Sequence, residues 1–133
     1  MSENVQGSVN VHLQHITLCQ AKAHGVCGFS SFTMDDVLVE QCGWHGVFAV
    51  GTGGVGSCTN VIVCQCGRSG VAVFDGGSMT LIGAKTMVHH NCENGRSNQY
   101  GLAVYQNSKI DCVQLISPLT KETVSIHNGG GGN

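Results

Sequence analysis

Charge and proline are both scarce in this chain. Asp, Glu, Lys and Arg make up 11% of 133 residues, against about 25% in an ordinary globular domain. The six cations, Lys22, Arg68, Lys85, Arg96, Lys109 and Lys121, are scattered, and the net charge is −2. A phosphate backbone is held by several cations on one face, so no nucleic acid partner is expected. No apolar run approaches the roughly 18 residues of a membrane-spanning helix, so no membrane span is expected. The N-terminus, Met1-Ser2-Glu3-Asn4, lacks a basic stretch followed by an apolar one, so no secretion signal is expected. A cytoplasmic location follows, with the eight cysteines as reduced thiols. Proline occurs once, at Pro118.

Glycine is plentiful, at 20 residues, and it is ordered. A tetrad recurs: Ala23-His24-Gly25-Val26, Trp44-His45-Gly46-Val47, Arg68-Ser69-Gly70-Val71 and Gln99-Tyr100-Gly101-Leu102. The steps between the glycines are 21, 24 and 31 residues. Each glycine opens a short apolar run, such as Val47-Phe48-Ala49-Val50 or Val71-Ala72-Val73-Phe74. Short strands and glycine turns repeating at such a period mark a β-solenoid.

A second repeat precedes each tetrad: Ile16-Thr17-Leu18-Cys19-Gln20-Ala21, Val37-Leu38-Val39-Glu40-Gln41-Cys42, Val61-Ile62-Val63-Cys64-Gln65-Cys66 and Thr86-Met87-Val88-His89-His90-Asn91. A fifth copy is read as Val124-Ser125-Ile126-His127-Asn128-Gly129. Its first and third positions are apolar or Thr in every copy, the alternation of a strand with one buried face. A third, less regular strand lies between: Phe32-Thr33-Met34, Val55-Gly56-Ser57-Cys58, Met79-Thr80-Leu81-Ile82 and Lys109-Ile110-Asp111-Cys112. Each coil therefore holds three strands, and stacked coils pair equivalent strands in parallel about 4.8 Å apart. Residues 92–98 and 117–122 lengthen two turns, either as tolerated loops or as the rim of a binding face.

Val-x-Val-x-x-Cys/Asn followed four residues later by Gly-Val resembles the right-handed parallel β-helix repeat of the pectin-lyase-like superfamily. The resemblance runs from about Val9 to Asn128. It implies an all-β, single-stranded, right-handed parallel β-helix of about five three-strand coils. Residues 1–128 form that domain and 129–133 a flexible glycine-rich tail. The chain is far shorter than the enzymes of the superfamily. It is closest in type to short virion-associated or surface β-helix proteins, which adds a virion to the expected locations.

Stacking places equivalent residues in files. Gln20, Gln41, Gln65 and His90 form one, with Asn128 assigned to its end; amides in register can bond along it. Ala21, Cys42, Cys66 and Asn91 form a second, small residues turned inward at the corner. Gly25, Gly46, Gly70 and Gly101 form a third, read as supplying a backbone conformation that a Cβ penalises. All three are structural ladders. Cys19, Glu40, Cys64 and His89 leave the strand on the outer face. Cys64, His89 and Cys92 are the nearest approach to a metal set, but a flat row is a poor match for zinc's tetrahedron. No metal or other cofactor is expected. Trp44, His45, Arg68 and Tyr100 lie side by side beside the glycines. They form a candidate contact patch for a glycan or a protein, unless Trp44 folds back over a neighbouring turn.

Glycoside cleavage needs two or three carboxylates around one bond. Asp35-Asp36 is the one adjacent pair and has no counterpart on neighbouring coils, so the reading leans to no enzyme. The ends of a solenoid expose strand edges, and no capping helix is visible. The resulting expectation is a non-enzymatic structural or binding module that forms a homo-oligomer, a side-by-side trimer or an end-to-end dimer. The alternative is a polysaccharide-binding or polysaccharide-cleaving protein.

Overall fold

A computed structural model describes residues 11–93, 100–113, 125–126 and 128–129. Its strands are β1 (Val11–Gln14), β2 (Thr17–Cys19), β3 (Val26–Gly28), β4 (Phe32–Asp35), β5 (Leu38–Glu40), β6 (Val47–Val50), β7 (Val55–Thr59), β8 (Ile62–Cys64), β9 (Val71–Phe74), β10 (Ser78–Ile82), β11 (Met87–His89), β12 (Leu102–Val104), β13 (Lys109–Val113) and β14 (Ser125–Ile126). Every third strand pairs with its counterpart one coil on. Sheet A is β1-β4-β7-β10-β13, sheet B is β2-β5-β8-β11-β14 and sheet C is β3-β6-β9-β12. All pairings are parallel. The chain is an all-β parallel solenoid. Among the described residues four coils carry a strand in every sheet and the fifth carries β13 and β14 only, slightly fewer than the five expected. The expected strand before Val11, the long turns at 94–98 and 117–122, and residues 130–133 lie outside the described residues.

Alternation sets the core. In β4, Phe32 and Met34 are buried while Thr33 and Asp35 are half-buried; in β6, Val47 and Ala49 are buried while Phe48 and Val50 are half-buried. One file runs Leu18, Val39, Val63, Val88 by register, and from Val39 onward it is completely dry. Phe32 is the one aromatic in the buried core among the described residues. Its ring fits because glycine stands at Gly28 and Gly56, where a Cβ would lie 2.5 Å from ring atoms.

The corners correct one reading. Gly25, Gly46, Gly70 and Gly101 are not among the residues with positive φ. Their lack of a Cβ serves close approach instead: a Cβ at Gly25, Gly46 or Gly70 would meet Cγ1 of Val39, Val63 or Val88, one coil on. The left-handed conformation falls on the residue after each sheet B strand: Gln20 (φ 60), Gln41 (59), Gln65 (57) and His90 (54). His15, Asp36, Asn60 and Gly83 do the same after sheet A. A non-glycine residue in this region carries a modest strain, and here one turns the corner after sheet B in each of the first four coils.

The last rung corrects another. Val88 lies opposite Ser125 and His89 opposite Ile126, one residue away from the alignment read in the sequence. A one-residue slip reverses faces. Ser125 therefore occupies the buried valine file, and it is 1% exposed. Asn128 follows Asn91 rather than His90: Gly129 N donates to Asn91 O at 2.8 Å. Among the described residues, no helix is long and apolar enough to cross a membrane.

Candidate functional site

The recurring tetrads form one corner. Gly25 N donates to His45 O, Gly46 N to Ser69 O and Gly70 N to Tyr100 O, at 3.1, 3.2 and 3.3 Å. His24, His45, Ser69 and Tyr100 are thus one file. Trp44 N donates to Ala23 O and Arg68 N to Trp44 O, both at 3.1 Å, so Ala23, Trp44 and Arg68 are the file beside it.

Rings collect on the outer side of this corner and of sheet C. His24 and His45 are stacked, with centroids 5.2 Å apart and planes 2° from parallel. The edge-on pair of His24 and Trp44 is also 5.2 Å apart. Phe48 lies 4.6 Å from His24 and 5.1 Å from His45. Phe74 continues the row at 5.0 Å from Phe48, and Tyr105 follows at 4.3 Å. Ala72 and Ala103, register partners in Phe48's outward file, are too small to block the rings and are themselves buried. The guanidinium of Arg68 sits 4.7 Å from the Trp44 centroid, a cation–π contact worth about 0.5–1 kcal/mol at an exposed site. Trp44 remains 43% exposed and His45 only 5%.

Electrostatics follow from that burial. Nδ1 of both His24 and His45 is buried without a hydrogen-bond partner. Desolvation lowers the pKa of His45 to about 4, with help from His24 and Arg68 and some opposition from the backbone of Ser69. His24 is lowered too, by burial first and by Arg68 second. Both rings are neutral near neutral pH. The structure therefore brings Trp44, His45 and Arg68 together. Tyr100 joins them through its backbone, its N donating to Ser69 Oγ at 2.9 Å. Phe48, Phe74 and Tyr105 were not singled out in the sequence. Alternation from Val47 and Val71 places Phe48 and Phe74 outward, and that was the available signal.

The other candidates are more dispersed. Gln20 Nε2 donates to Gln41 Oε1, and Gln41 Nε2 to Gln65 Oε1, both at 3.3 Å. An open groove of about 360 Å³ runs along Gln41, Gln65, Cys66, Gly67, His90 and Glu93. Inside the same corner, thiols give way to amides: Cys42 Sγ and Cys66 Sγ donate to carbonyls of Glu40 and Cys64, whereas Asn91 bonds across coils. Cys64 lies opposite His89. Cys92, however, is buried and donates its thiol to Gly129 O at 3.2 Å. Among the described residues, no three His, Cys, Asp or Glu side chains are grouped to hold a metal. All eight cysteines are free; burial pushes the Cys58 and Cys66 thiols up to about 12. Asp35 lies opposite Gln14 and Thr59, and Asp36 is paired with His15 at 3.2 Å. Among the described residues, neither carboxylate faces a second one.

No protein family, curated protein or solved structure matches this chain.

Proposed function

We propose that the chain is a non-enzymatic structural module that self-associates end to end, as a component of a virion or surface assembly. The first described coil carries this reading. Among the described residues β1, β2 and β3 have a paired neighbour on one side only. Their inward files lead into the core: Val11 lies opposite Phe32, Leu13 opposite Met34 and Leu18 opposite Val39. Yet Val11 is 48% and Ile16 38% exposed, while Phe32 and Val37 one coil on are buried. Strand edges beside exposed apolar side chains are a template for pairing. A second copy offering the same end covers both, and a two-fold axis makes such a contact self-complementary. The outer side of sheet A favours an end-to-end dimer over a side-by-side trimer. Its central file is His12, Thr33, Ser57, Thr80 and Asp111, which water solvates well.

Two observations weigh against the polysaccharide reading. Arg68 already covers one face of Trp44, so the ring is not an open stacking platform, and Asp35 and Asp36 each lack an opposed carboxylate. Sedimentation velocity at low micromolar concentration tests the proposal. The expected species is a dimer, converted to monomer in the double variant Val11→Lys, Ile16→Lys with its far-UV dichroism unchanged. A wild-type monomer, or a variant that still dimerises, contradicts it.

A further inference from the structure

His24 and His45 are ionisable rings packed where a proton is poorly accommodated. Each Nδ1 is buried and has no partner. The rings stack 5.2 Å apart and both pack against Phe48; His24 also meets Trp44 edge-on, and His45 meets Phe74 of β9 at 6.2 Å. The charged and titratable groups acting on them are each other and Arg68, one coil on; no carboxylate contributes. When an imidazole takes a proton from solvent it becomes a cation with two N–H donors. Here the second donor has no acceptor, and the new charge sits beside a second imidazole and a guanidinium. A buried charge in that position is tolerated only once water reaches it.

We propose that this ring cluster is an acid-operated latch: protonation of the stacked pair drives His24 and His45, with Trp44, off the outer side of sheet C and uncovers Phe48 and Phe74. The core is not disturbed, because Val47, Ala49, Val71 and Val73 point to the other side of the same strands. The latch's rings lie on the outer side of the coils, whereas the end-to-end contact involves the first coil's inward files. Its product is an apolar strip exposed in acid and covered at neutral pH.

Trp44 is the only tryptophan, so its emission reports the latch directly. Titrating the full chain should give a red shift with a single midpoint between the ordinary histidine value of 6.5 and about 4. A dye that brightens on apolar surface should respond in parallel, while the far-UV sheet signal persists. In His45→Phe, which keeps the ring and removes the titrating group, emission should stay flat over that range. In Arg68→Gln, loss of the repelling cation should raise the midpoint; this variant decides the matter if His45→Phe does not fold. The inference is overturned if wild-type emission and dye response stay constant down to pH 4, or if they change only with loss of the sheet signal. It is also overturned if His45→Phe titrates like the wild type, or if Arg68→Gln leaves the midpoint where it was.

Discussion

Two amide stacks occupy the same corner one residue apart, and they do different work. Gln20, Gln41 and Gln65 are exposed and bond one another at 3.3 Å. Asn91 is fully buried. It accepts from Cys66 N, donates to Val63 O and donates to Asn128 Oδ1, each at 3.0 Å. Asn128 repeats the pattern one coil on, donating to Val88 O at 3.0 Å and to Ser125 Oγ at 3.1 Å. The outer stack trades water for protein at nearly equal strength. The inner stack has no water to fall back on, so each of its bonds is obligatory. Chemistry alone does not set the worth of a ladder; which side of the corner it occupies does.

Asn91→Ala is the sharpest way to break that contrast. It strands Cys66 N, Val63 O and part of Asn128, and should destabilise by about 3 kcal/mol, measured by chemical denaturation at constant slope. The same rule applied to imidazoles predicts a pH effect. The folded-state pKa of His24 and of His45 lies below the unfolded value, so the unfolded chain binds more protons. Stability is then intact above pH 6.5 and declines as pH falls toward about 4. The His45 share of the loss is about 3 kcal/mol, read as a falling melting temperature that His45→Phe flattens. Ser125→Ala removes one acceptor of Asn128 and leaves Val88 O, for a cost of about 1 kcal/mol. Gln41→Ala, in the outer stack, should cost under about 1 kcal/mol, even though it removes two side-chain bonds. A loss for Gln41→Ala equal to that for Asn91→Ala would erase the distinction.

Much of the fold was readable because the first coils repeat with little drift in length. Gly25 to Gly46 and Gly46 to Gly70 differ by three residues, and the alternation of Val37-x-Val39 and Val61-x-Val63 fixes which side is buried. The last coil was misread because its only guides, Val124 and Ile126, look like the repeat's apolar pair. The hydrogen-bonding demands of Asn91 and Asn128 instead select the neighbouring register, with a serine in the valine file. The role of the glycines was also hidden. Glycine satisfies either a left-handed turn or a tight contact, and the sequence does not distinguish them until Val39, Val63 and Val88 are seen against the corner. The ring cluster was half visible. The tetrads place His24, Trp44 and His45 together, but Phe48 and Phe74 enter it only through alternation across two coils.

Register at the final rung is the claim on which the inner amide stack rests, and cross-strand nuclear Overhauser contacts measure it directly. Backbone contacts between Val88 and Ser125, with the side-chain amides of Asn91 and Asn128 adjacent, are the predicted result. Contacts joining Val88 to Ile126 and His90 to Asn128 would contradict it.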